Sequence, residues 1–361
     1  MQTNTPSCNT QPSTATKEKG KRKMSDVLKT AGDETQGESK IKEIIRREIG
    51  QVLALGSLVV LFAFFSIMRP VFYSWANVSN GILMSTTVTG LLAIGITFVI
   101  ITGGIDLSIG TGTALCAIMV GKLVVAWHLN LIGGVVIGVV MGAFIGVVNG
   151  ILITLLKLPP FIATLATMKA AQGLALIISH MRPIHFSDGV KGWDKIAQGH
   201  LIPQIPNGAT ILFVGALVAS IILNRTVLGR YTFAIGSNAE ATKLSGVKVD
   251  RWLIAIYALC GVYVGLAAVM LTSRLGSAQP DLGLGYELEA IAAVIIGGTS
   301  ILGGKGSIRG TIIGALIMSV LINGLRILEL QQEWQYVVVG IVIILAVWSD
   351  NVRRRRAGDV S

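Results

Sequence analysis

Charge is what this chain lacks most. Only 14% of its 361 residues are Asp, Glu, Lys or Arg, where a soluble chain carries about a quarter. Cysteine is equally sparse. Cys8, Cys116 and Cys260 are far apart, which excludes a disulfide framework and a thiolate metal site. The four histidines are unclustered, and no His-Glu-x-x-His or Ser/His/Asp set occurs. No metal, cofactor or hydrolytic chemistry is therefore expected, and the chain does not read as an enzyme. Proline is rare at 9 residues while glycine reaches 43, a balance that suits membrane helices, whose backbones approach closely at glycine.

What is there is apolar sequence, 52% of the chain, in runs of about 20 residues, enough helix to cross a ~30 Å hydrocarbon core. The pattern predicts an all-α, polytopic transmembrane bundle of about ten spans, near 51–69, 82–102, 106–126, 131–156, 160–179, 209–223, 252–272, 288–302, 307–327 and 334–349. The spans from 82 and 288 are interrupted by Gly, Thr or Ser and read equally as broken or re-entrant helices. Residues 1–48 are polar and mixed in charge, predicting a disordered tail, in which Ile41–Arg47 has helical spacing. No cleavable signal peptide is expected, since the first apolar run lies behind this tail and reads as a retained span. The transmembrane domain would then cover 49–350, with a basic tail over 351–361.

The formal net charge of +11 does not indicate nucleic acid, because the basic residues flank apolar runs. Lys21, Arg22, Lys23, Lys40, Lys42, Arg46 and Arg47 precede the first span. Arg225, Arg230, Lys243, Lys248 and Arg251 follow the sixth, and Arg353–Arg356 the tenth. An even number of spans puts all three groups on one side, which the positive-inside rule makes the cytoplasm, with both termini. The main external loop is then 180–208, holding His180, His185, Trp193 and His200.

Five glycines, Gly134, Gly138, Gly142, Gly146 and Gly150, recur every fourth residue. They share one helix face and make a groove for a neighbouring helix, a reading preferred to a conduit lining. Asp106, in Ile101-Thr-Gly-Gly-Ile-Asp-Leu-Ser-Ile-Gly110, is either a functional acid near the membrane or a cap for the next helix. Glu287 and Glu289 are two apart and cannot share a helix face; one can face a polar pathway while the other caps or meets solvent. Lys169 can snorkel or pair with an acid. Over 234–247, Ser237 or Asn238 can cap a short amphipathic helix that Gly246 ends. That helix is read as a cytoplasmic docking element or as a loop helix resting on headgroups.

The run Gly297–Ser307 imitates a phosphate loop and fails the comparison. Gly304-Lys305 is followed by Gly306 rather than a hydroxyl residue, and Thr299 stands where the first glycine is required. No ATP site is expected in the chain.

Four stretches carry a family resemblance: Thr102–Gly110, Pro160–Met168, Ala234–Gly246, and Gly285–Val294 continuing through Gly297 to Gly310. They resemble the permease subunits of bacterial ABC sugar importers, the ribose, arabinose, xylose and galactoside group, with Ser277-Ala-Gln-Pro closest to the ribose branch. The resemblance implies a multi-pass protein of the bacterial inner membrane. It further implies a separate cytoplasmic ABC ATPase, a periplasmic sugar-binding protein and a second permease copy, as homodimer or related heterodimer. The ATPase would meet Asn238, Ala239, Glu240, Lys243 and Gly246. Asp106, Ser108, Gln279, Tyr286, Glu287 and Glu289 are the candidates for the pathway or gate. A non-sugar solute such as a branched-chain amino acid stays open, as does an ion-coupled transporter, although that class places acids inside broken helices. The long N-terminal tail departs from the family.

Overall fold

Helix ends follow local chemistry throughout the computed structural model, which describes residues 52–186 and 191–357. The expected tail over 1–48, with its helical segment, lies outside these residues. The first helix, α1 (Val52–Met68), leads through a 3₁₀ turn at Pro70–Tyr73 into α2 (Asn77–Ile101). The first seven residues of α2 are π-helical and the rest α-helical, so the interrupted run is one continuous helix that starts before 82. α3 (Ile109–Trp127) ends at His128 in the left-handed conformation. Asn130 then caps α4 (Leu131–Thr154), its Oδ1 accepting the Gly133 N–H at 2.7 Å. Pro160 opens α5 (Pro160–Ser179), where its missing N–H costs nothing.

Two residues of strand, β1 (Ile184–His185), begin the long loop, which also holds the short α6 (Lys195–Gln198). α7 (Asn207–Arg225), α8 (Val227–Ser237) and α9 (Ala239–Leu244) follow, then α10 (Val249–Leu275) and β2 (Ser277–Ala278), which pairs antiparallel with β1. The chain closes with α11 (Tyr286–Ile296), α12 (Ile308–Ile327) and α13 (Gln332–Ala357). α13 continues through Arg353–Arg356, so the basic run expected as a tail forms the last turns of a helix.

Among the described residues seven helices are long and apolar enough to cross a membrane: α2, α3, α4, α5, α7, α10 and α12. α1 and the apolar part of α13, Gln332–Trp348, are shorter. α11, the expected eighth span, has 11 residues, about 16 Å of helix and roughly half a hydrocarbon core. It is a half-helix, entered through the 276–285 segment and left through a turn. Such backbone is tolerated in a bilayer only when buried in protein. Here Gly283 fits against the Gly110 carbonyl with φ +87, and Gly285 starts α11 at φ +90. Both are backbone states that a side chain resists.

α2 forms the centre. Leu91, Leu92, Ile94, Ile96, Phe98 and Ile100 are fully buried. Three of its threonines bond back to their own helix, Thr86 to Ile82 O at 2.8 Å, Thr87 to Leu83 O at 2.9 Å and Thr97 to Ala93 O at 2.6 Å. α4 lies against α10 through the glycine stripe. A Cβ on Gly142 would strike the Gly261 carbonyl, one on Gly146 the Tyr257 carbonyl, and one on Gly150 would lie 2.7 Å from Ile254 Cα. Gly261 and Gly265 return the contact onto the Gly142 and Gly138 carbonyls. Gly134 has a different neighbour, the Trp193 ring of the long loop. A smaller cluster, Phe65, Phe72, Ile82, Val320, Leu321 and Leu325, fastens α1 to α12, with the Phe65 ring on Gly324.

Candidate functional site

One end of the bundle gathers the turn 102–108, the α8–α9 corner and the turn 297–307. Their contact is made by backbone. The Gly304 N–H donates to Ile101 O at 2.8 Å. A Cβ on Gly236 would meet Ile101 O and Gly304 N, and one on Gly303 would lie 2.9 Å from Gly103 N and 3.0 Å from Gly236 O. At these contacts the backbones leave no room for a Cβ. Gly297 of the turn likewise abuts the Gly310 carbonyl of α12. The loop that imitated a phosphate site is therefore a packed junction.

α9 projects from this junction. Asn238 caps it, its Oδ1 accepting the Ala241 N–H at 2.9 Å, so the 234–247 stretch is the end of α8 followed by a separate six-residue helix. Glu240 stands in its first turn and Lys243 in its last, each at the favourable pole of the helix dipole. Gly246 ends it at φ +85, its N–H donating to Lys243 O at 3.0 Å. Asn238, Ala239, Glu240, Lys243 and Gly246 are all exposed, and Leu244 is 89% exposed.

Asp106 and Ser108 lie deep in the turn between α2 and α3. Asp106 Oδ1 accepts the Ser108 N–H at 2.9 Å and the Ser108 hydroxyl at 2.6 Å. Asn149 Nδ2 of α4 donates to both carboxylate oxygens, at 3.4 and 3.3 Å, and to Ser108 Oγ at 2.8 Å. Asp106 thus serves the start of α3 while fastening it to α4. Thr164 of α5 donates to Ile105 O at 3.2 Å, bringing a fourth helix to the same turn. Lys169 of α5 meets Gln172 on its own helix at 3.3 Å and no acid among the described residues.

The two acids of α11 diverge. Glu287 turns back, accepting the Gly285 N–H at 3.2 Å and filling the space that Gly110 leaves on α3. Glu289 turns to α2, where its Oε2 accepts the Thr89 hydroxyl at 3.4 Å. Gln279 of the entering segment donates to Ser277 Oγ at 3.4 Å, and Tyr286 sits half-buried at the start of α11. Sequence reasoning missed the partners from other helices: Ser85 and Thr89 of α2, Arg274 of α10 and Asn149 of α4. The legible signal was a second spacing of four along α2, at Asn77, Gly81, Ser85 and Thr89, resuming at Thr97 beyond Ala93.

At the opposite end the 180–208 loop is folded onto α10. Phe186 stacks on Trp193 at 4.6 Å between centroids. Trp193 Nε1 donates to Thr272 Oγ1 at 3.3 Å, and the Ala197 N–H to Ser273 Oγ at 2.8 Å. His180 and His200 remain exposed on it.

Comparison with known proteins gives these features a context. The family described as "Branched-chain amino acid transport system / permease component" matches residues 78–347. A ribose import permease protein of Bacillus subtilis (strain 168) is 43% identical over 85% of this chain and 94% of its own length. The ribose import permease protein of Escherichia coli (strain K12) is 40% identical over 83% and 94%. The xylose transport system permease protein of the same strain is 32% identical over 84% and 94%. No solved structure matches the chain.

Proposed function

The chain belongs to this transport-system permease family, and we propose that it is the membrane subunit of an ATP-binding-cassette importer carrying a monosaccharide of the ribose kind. The observation that carries the reading is identity of 39–43% to ribose import permeases along almost their whole length. In this reading the protein is a non-enzymatic, multi-pass transport subunit of the bacterial inner membrane, with the α9 end and both termini cytoplasmic. A separate cytoplasmic ATPase docks at Asn238, Ala239, Glu240, Lys243 and Gly246. A periplasmic sugar-binding protein delivers the sugar to the end bearing the 180–208 loop, and a second permease copy completes the passage.

The architecture supports a division of labour. Energy enters at α9, whose exposed charged faces suit a partner surface. The glycine junction at Gly236, Gly303 and Gly304 passes displacement to α2 and α11. Tyr286, Glu289 and Gln279 line the pathway, Glu287 holds the start of the half-helix, and Asp106 with Ser108 forms the gate-side clamp on α3 and α4. Alternating access then rocks the helices about the clamp. The acids make a poor ion-coupling site, since Glu287 and Asp106 are engaged in local hydrogen bonds.

The test is ATP-driven uptake by vesicles holding the permease, its ATPase and its binding protein. Glu240→Arg is expected to lower both ATPase co-purification and uptake about tenfold, the scale of a reversed interfacial charge. Unchanged assembly and uptake would sink the docking role. The family's printed description favours one rival solute class, so branched-chain amino acids belong in the same assay; leucine taken up in place of ribose would replace the sugar reading.

A further inference from the structure

Along α2 polar pairs stand at Asn77, Ser85, Thr89 and Thr97, spaced by four or eight, and they are of two kinds. Asn323 Nδ2 donates to Asn77 Oδ1 at 2.9 Å, and Thr97 pairs with Thr311 at 2.8 Å. Both are close, and the Thr97–Thr311 pair is further engaged with Ala93 O and Ser307 O. Between them stand two loose contacts, Arg274 Nη1 to Ser85 Oγ and Thr89 Oγ1 to Glu289 Oε2, each 3.4 Å. Ser85 and Thr89 are one turn apart on the same face of α2.

These groups have unused capacity. A guanidinium offers five N–H donors and a carboxylate about four lone-pair sites. Among the described residues Arg274 meets one acceptor and Glu289 one donor, and no ion pair closes between them. Ser85, Arg274, Tyr286 and Glu289 are half-buried rather than sealed. Ionisable groups inside a membrane domain are costly and by default mark functional positions.

We propose that Arg274 and Glu289, with Ser85, Thr89 and Tyr286, form a subsite for the neutral polyol ring in transit, on the half of α2 nearer the 180–208 loop. Each hydroxyl of a sugar both donates and accepts. Adjacent hydroxyls can take a pair of guanidinium N–H donors while neighbouring ones donate to the carboxylate, and Ser85 and Thr89 serve either role. The Tyr286 ring supplies an apolar face and a polar tip. Loose, unsaturated contacts suit a site that must release its cargo, and the saturated Thr97–Thr311 pair marks where the subsite ends. The proposal rests on the sugar-importer reading and adds Arg274, Ser85 and Thr89 to it.

The experiment is ribose uptake by proteoliposomes of the complete transporter, normalised to assembled complex, for wild type, Arg274→Gln, Glu289→Gln and the near-isosteric Thr89→Val. Loss of a hydrogen bond to a charged group predicts about tenfold slower uptake in the first two, and loss of a neutral one about threefold in Thr89→Val. Wild-type rates in all three variants overturn the subsite, as does a decline that merely follows lost assembly in each. A wild type that takes up a sugar acid but no neutral sugar overturns the neutral-polyol assignment. Wild-type vesicles that import no sugar at all count against the importer reading itself.

Discussion

α4 and α2 carry stripes of the same period and opposite chemistry. On α4 the repeated residue is glycine, and what meets it is backbone: the Tyr257, Gly261 and Gly265 segments of α10. On α2 the repeated residues are polar or small, and what meets them is side chains from α10, α11 and α12. In a bilayer, apolar area gives helices little reason to associate, because lipid is as apolar as leucine. Close backbone approach supplies the attraction on α4. On α2 the polar pairs contribute less attraction but leave groups that a solute can use. Equal spacing fixes only that residues share a face; what occupies the face decides whether it seals or conducts.

The comparison breaks most visibly at Gly146. Gly146→Leu forces a side chain into the Tyr257 carbonyl, which cannot rotate away, and an overpacking cost of about 3 kcal/mol is expected. Gel filtration of the extracted protein should show lost or aggregated material; a wild-type profile would mean that α4 and α10 stand apart. Thr97→Val sharpens the inner boundary of the α2 stripe. It removes the bond to Thr311 in a fully buried position, so a loss of about 0.6 kcal/mol, the mean for interhelical polar bonds, is expected. The thermal midpoint should fall slightly while uptake per assembled complex stays level, whereas a large fall in uptake would extend the sugar path inward. Gly173→Ala is the smallest. Gly173 lies off both stripes with nothing within 4 Å, so alanine should raise stability by about 0.5 kcal/mol through helix propensity. A fall in the assembled form would reveal a second copy closing on that face of α5.

Much of this was legible beforehand. The runs at 131–156 and 160–179 became α4 and α5 because their ends carry strong signals, Asn130 and Pro160. The run at 288–302 read as apolar enough to span, yet the helix stops at Ile296 because Gly297 and Gly298 follow and the chain turns into the backbone junction. A short helix over 234–247 capped by Ser237 or Asn238 was legible; that Asn238 is the cap and that 234–237 belong to α8 was not. Arg274 was not, since it reads as an ordinary basic residue at a helix end. Its meaning comes from Ser85, 189 positions away in the sequence.

Composition and period alone determined that this chain is a helical membrane protein, that it has no phosphate loop, and that one helix is striped with glycine. Those are local properties, set by solvent and by the 3.6-residue turn. Only the tertiary structure decided that Gly134 receives Trp193 while the other four glycines receive α10, that Glu287 turns inward to its own backbone while Glu289 reaches α2, and that Gly304 closes on Ile101. Each depends on which distant backbone arrives at a given face, and neighbours in sequence carry no record of that arrival.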